Sequence, residues 1–81
     1  MVNLDQIIAN FIKKDNTLSR RVLNAIEYRN AVAHRDITKN EYIELVKDLQ
    51  VLDGVKLTAA EKEQQVAFNE CMSLLIQTPL P

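Results

Sequence analysis

Arg29, Asn30 and His34 are the residues of this chain whose types and spacing could do acid/base chemistry. His34 is the only histidine, and an imidazole titrates near neutral pH. Arg29 adds a cation. Asn30 and His34 are four positions apart, so they share one face of a helix, while Arg29 points to a neighbouring face. A structural role is the other interpretation, in which an amide, a carbonyl or a helix end satisfies the imidazole.

Two helices are predicted to come before and to carry these residues. The first has one apolar stripe at helical spacing and a cap at Asn3, and Lys13 and Lys14 suit its negative end. The second begins at an Asn16 or Thr17 cap and runs towards His34. The apolar positions of the two helices are Leu4, Ile7, Ile8, Phe11 and Ile12, and then Leu18, Val22, Ile26 and Ala33.

Two capping boxes predict where the third and fourth helices begin. Thr38 and Glu41 form one box, and Thr58 and Glu61 form the other. Gly54 is predicted to end the third helix with a positive φ. The fourth helix is predicted to run to about Gln77, before Thr78 and Pro79, and the third to bury Tyr42, Leu45, Val46, Leu49 and Leu52.

The expected fold class is all-α, in a single domain of residues 1–81. Four helices joined by short links favour an antiparallel four-helix bundle or a pair of helical hairpins. The chain has one glycine and no alternating run rich in Val, Ile and Thr, so it offers no competing strand.

Composition excludes several classes of function. The longest apolar run is too short to cross a membrane, and the beginning of the chain does not resemble a secretory signal, so we expect a cytoplasmic protein, or one in the host cytoplasm or virion if a phage encodes it. Cys71 is the only cysteine and is expected in the core. One Cys and one His cannot supply a typical zinc site, so no metal and no cofactor are expected. Two pairs of acids lie near helix starts and are interpreted as residues that the positive ends of the helix dipoles favour. These pairs are Glu41 with Glu44 and Glu61 with Glu63.

The net charge of -1 hides an asymmetry between the two halves. Residues 1–39 carry seven Lys/Arg against four Asp/Glu, a balance of +3, and residues 40–81 carry three against seven, a balance of -4. Two solvated faces explain this pattern. Docking between copies, or an anion-facing N-terminal half, explains it as well.

The last predicted helix has apolar residues over more than one stripe, which indicates that it is covered from more than one side. A central position in the fold would explain this. The alternative is that this end binds another copy or another protein. The expected partner-binding residues are Phe68, Met72, Leu75, Ile76 and Leu80.

The Arg29-Asn30-x-x-x-His34 segment resembles the signature of HEPN-domain ribonucleases, and the resemblance covers about 27 residues, from the signature through the following helix. It implies a dimer with the two signatures facing a shared cleft. His34 would be the general acid/base, Arg29 would hold the scissile phosphate of RNA and Asn30 would fix the geometry, without a metal. The helices before the signature are shorter than that family's long pair, and an extra helix follows.

The preferred prediction is a non-enzymatic helical interaction or assembly subunit. We expect it to be oligomeric, of the kind found among phage or bacterial accessory proteins, with a protein partner that is either another copy or a larger assembly. The metal-independent ribonuclease is the alternative. A DNA-reading helix-turn-helix ranks below it, because the third and fourth helices are acidic.

Overall fold

The computed structural model describes residues 4–13 and 16–77, and within these residues it is all helical, without a strand. The helices are α1 (Leu4–Ile12), α2 (Thr17–Ala33), α3 (Lys39–Gln50), α4 (Ala59–Glu63) and α5 (Gln65–Gln77). The predicted all-α class is confirmed. The predictions for Asn3, Lys14, Thr78, Pro79 and Leu80 concern residues outside those that the structure describes.

Helices α2 and α5 are the two elements that the other helices pack against. Helix α2 contacts α1, α3 and α5, and α5 contacts α1, α2, α3 and α4. One core cluster joins α1, α2, α3 and α5, and its aromatic centre is an edge-on pair of Phe11 and Phe68 with ring centroids 6.3 Å apart. Its buried residues are Phe11, Leu18, Val22, Ala25, Tyr42, Val46, Phe68, Cys71, Met72 and Leu75.

The helix starts follow the predicted caps. Asn16 caps α2, its side-chain oxygen accepting the Ser19 N–H at 2.9 Å. Both capping boxes are present, at Thr38 with Glu41 and at Thr58 with Glu61. Local hydrogen bonding therefore determines where three of these helices begin.

The predicted fourth helix is divided in two at Gln64. The Gln64 N–H is shared between the carbonyls of Ala60, at 3.2 Å, and Glu61, at 3.1 Å, which is the geometry of a tightened last turn. The prediction of one helix to Gln77 was therefore wrong at this point. Its periodicity could not show the break, because the residues on both sides are good helix formers.

The end of α3 also differs from the prediction. The helix ends at Gln50 with Val51 as its C-cap, earlier than Gly54. Gly54 does have the predicted positive φ, 78°, but it lies in the turn after the helix. Leu45 is only half-buried on the outer side of α3 and does not join the core, unlike Tyr42 and Val46.

Helix α2 ends in a Schellman motif that places a non-glycine residue in the left-handed region. The Asp36 N–H donates to the Ala31 carbonyl at 2.8 Å, and the Arg35 N–H donates to the Val32 carbonyl at 2.9 Å. Arg35 consequently has a φ of 63°. A side chain is disfavoured there because its Cβ crowds the backbone.

We expect Arg35→Gly to stabilise the protein by about 1 kcal/mol, because glycine removes this steric cost. The matched control is Gly54→Ala, which adds the same backbone cost at a position where a Cβ would meet nothing within 4 Å. Thermal unfolding should move upwards by several degrees for the first variant and downwards for the second. A lower melting temperature for Arg35→Gly would show that the arginine side chain contributes more than the backbone strain removes.

Candidate functional site

Arg29 is half-buried and its guanidinium is turned towards the end of α5. Its Nη1 donates to the Leu75 carbonyl at 3.3 Å, and the Tyr42 hydroxyl donates to the same oxygen at 2.8 Å. The Leu75 carbonyl lies in the last turn of α5, where carbonyls lack partners within the helix. Arg29 and Tyr42 thus join α2, α3 and α5 at one acceptor.

Arg21 makes the same kind of contact at the end of α3. Its Nη1 donates to the carbonyls of Leu49, at 2.9 Å, and Val51, at 3.4 Å, at the end of α3. A cation at a helix C-terminus is favoured by the negative end of the dipole. Two cations of the positive N-terminal half, Arg29 and Arg21, therefore make contacts within the protein, where they bind the C-terminal ends of α5 and α3.

Ser19 makes a comparable contact at the end of α1. Its side chain is buried, and its hydroxyl donates to the Phe11 carbonyl at 2.6 Å. A buried hydroxyl with a partner avoids the free-energy cost of an unsatisfied polar group. The sequence alone does not reveal the polar contacts that Ser19, Arg21 and Tyr42 make between helices, because their acceptors are backbone carbonyls distant in the sequence.

Asn30 and His34 lie on the exposed surface at the end of α2. His34 is the C-cap, and its backbone N–H donates to the Asn30 carbonyl at 2.9 Å. The Arg29 guanidinium is directed to α5, so the arrangement combines an exposed amide and imidazole with an arginine that holds a helix end. The described residues contain no group of three or more His, Cys, Asp or Glu suited to a metal ion.

The expected partner-binding residues lie mostly in the core. Phe68, Met72 and Leu75 are 0% exposed, and Ile76 is half-buried against the core, while Leu80 is outside the described residues. The expected contact role of the first three does not fit this packing. Helix α5 is covered by α1, α2 and α3, which accounts for its apolar residues on more than one stripe.

The opposite side of α5 forms an open surface groove of about 540 Å³. Its most exposed apolar residue is Val66, with 71% of its surface accessible, and Leu74 is half-buried. We call this surface the outer face of α5, lined by Val66, Asn69, Glu70, Ser73 and Leu74.

The outer face of α5 is poor in charge. Glu70 is the only charged residue among the 13 residues of α5, although its outer face is largely open to water. Exposed surfaces of helices normally carry several charges, and the centres of protein interfaces are depleted in them. Nothing in the sequence distinguishes Val66 from the buried apolar residues that follow it.

No family model matches the chain, and no curated protein or solved structure is significantly similar to it. Among the described helices, none is both long enough and apolar enough to cross a membrane. The geometry of the outer face of α5 and of the end of α2 is therefore the basis for a functional proposal.

Proposed function

We propose that the protein is a non-enzymatic interaction subunit that binds another polypeptide through the outer face of α5. The observation that carries this proposal is the 71% exposure of Val66 on a helix side with one charge. The partner is a further copy or a component of a larger assembly. A phage or bacterial accessory protein is the kind of protein proposed, and an antiparallel bundle of α1, α2, α3 and α5 is the proposed scaffold for the surface.

The packing supports a contact surface on the outer side of α5, and not on the inner side that was predicted from the sequence. Apolar side chains that are already covered gain nothing from a partner, because burial stabilises only by removing apolar area from water. Val66 and Leu74 still have apolar area that a partner could bury. Asn69 and Ser73 beside them can form hydrogen bonds across an interface with little loss of side-chain entropy.

The proposal is tested by comparing two identical substitutions at exposed valines. Val66→Asp places a charge on the outer face of α5, whereas Val51→Asp places it at the end of α3, where Val51 is 56% exposed. We expect Val66→Asp to weaken association by at least about tenfold and Val51→Asp to leave it unchanged, with both variants fully helical. Sedimentation and native mass spectrometry of the purified chain measure self-association, and the same measurements with candidate assembly components measure binding to a different protein.

Two results would contradict the proposal. One is a strict monomer at roughly tens of micromolar that also binds no assembly component. The other is equal behaviour of the two valine variants, since that would place any contact elsewhere.

A metal-independent ribonuclease of the HEPN kind is the second hypothesis, and the exposure of both Asn30 and His34, four positions apart at the end of α2, favours it. It would require the Arg29 guanidinium to leave the Leu75 carbonyl or to bind phosphate from that position. Cleavage of single-stranded RNA in EDTA that is lost in His34→Ala would support it. His34 is exposed, so this substitution should not change the fold, and absence of cleavage by the wild type ends the hypothesis.

A further inference from the structure

The segment between α3 and α5 is attached to the rest of the protein by very few buried groups. Among residues 51–63, only Glu61 is buried, with 4% of its surface accessible. Every other residue of α4 is exposed, so this five-residue helix has no buried apolar side chain. A helix so short is not stable by itself and depends on its contacts.

The Glu61 carboxylate connects the beginnings of two helices. Its Oε1 accepts the Thr58 N–H at 3.1 Å, which completes the capping box of α4. Its Oε2 accepts the Thr17 N–H at 3.0 Å, in the first turn of α2 and 44 positions away in the sequence. A carboxylate that accepts N–H groups at helix N-termini forms charge-assisted hydrogen bonds and is stabilised by both dipoles.

The remaining attachments of the segment are weaker. Two half-buried apolar residues of the segment, Leu52 and Leu57, pack against the core, and Leu57 is the one that lies between the turn at Gly54 and α4. Gly54 itself lies in open space, with a φ of 78°. At the other end the helix is interrupted at Gln64, whose Oε1 is buried without a hydrogen-bond partner. Gly54 and Gln64 therefore both lie at breaks in the helical structure, and neither residue belongs to the buried core.

We infer that residues 53–63 form a strap that opens as a unit from the four longer helices, and that the Glu61 carboxylate is the contact that keeps it closed. Few buried apolar groups and exposed backbone are the features of segments that open locally, below the free energy of global unfolding. Opening releases the Thr17 N–H and uncovers the start of α2. This surface is distinct from the outer face of α5, so the inference goes beyond the proposed function.

Hydrogen exchange measured by mass spectrometry on the full chain at neutral pH tests the strap. The variant is Glu61→Gln, which keeps the shape of the side chain and removes its charge. The matched control is Glu63→Gln in the same helix, at an exposed position. In Glu61→Gln we expect amides of the strap and of the first turn of α2 to exchange roughly tenfold faster or more, with amides in the centres of α2, α3 and α5 unchanged. Glu63→Gln should match the wild type.

A second variant separates the strap from the carboxylate. Leu57→Ala removes the apolar contact and should accelerate exchange in the same peptides, again without an effect on the central helices. Faster exchange in all helices of either variant would show that the segment unfolds only with the whole protein, and would overturn the inference. Unchanged exchange at the strap in Glu61→Gln would show that the carboxylate does not hold it.

Discussion

Met72→Asp should unfold the protein. Met72 is 0% exposed and lies in the core between α5 and the helices that cover it. An unpaired carboxylate at such a position has a severe desolvation penalty, so we expect a loss of about 4 kcal/mol or more. That is comparable to the whole free energy of unfolding of a domain this small. Far-ultraviolet circular dichroism should show little helix at room temperature.

Val66→Asp is the control for this prediction, because it places the same charge on the same helix but on the exposed side. Its unfolding free energy should stay within about 0.5 kcal/mol of the wild type. A helical Met72→Asp protein with a wild-type melting transition would mean that the side of α5 described as buried is open. Met72 would then return as a partner-binding residue.

The sequence predicted the helix beginnings well, because the signals for them are local. In a capping box, the side chains of a threonine and of a glutamate three positions later each accept the backbone N–H of the other residue, and this pairing does not need the rest of the chain. Thr38 with Glu41, and Thr58 with Glu61, are confirmed on this basis. The same reasoning could not show that Glu61 also binds the Thr17 N–H, because that contact depends on how α2 and α4 come together.

The sequence could not determine which side of α5 is covered. Phe68, Met72 and Leu75 are indistinguishable by type from a surface stripe, and only their packing against α1, α2 and α3 makes them core residues. The role of a residue at a site likewise depends on which other helices it contacts. The resemblance to HEPN ribonucleases implies that Arg29 binds phosphate, but in the structure its guanidinium contacts a carbonyl 46 positions away.

Alkaline pH should destabilise the protein through two buried acids. Burial raises the pKa of the Cys71 thiol to about 11 from an ordinary value of 9.0. Burial also raises the pKa of Tyr42, and the nearby Arg29 guanidinium partly opposes this. Above pH 9 the unfolded chain releases the thiol proton while the folded protein retains it, so the unfolded state gains stability. The contribution of Cys71 is complete below pH 9 and is lost as the pH rises towards about 11.

Cys71→Ala isolates this effect, because the two proteins share every other titratable group. Urea unfolding at pH 7, 9, 10 and 11 should give a stability that falls more steeply with pH for the wild type than for Cys71→Ala. Because the thiol is 0% exposed, the native protein should also react slowly with a disulfide reagent at pH 8 and rapidly once urea unfolds it. Parallel pH curves for the two proteins, or a fast reaction of the native protein, would contradict this prediction. Either result would mean that water reaches Cys71 and the contact between α5 and the helices that cover it.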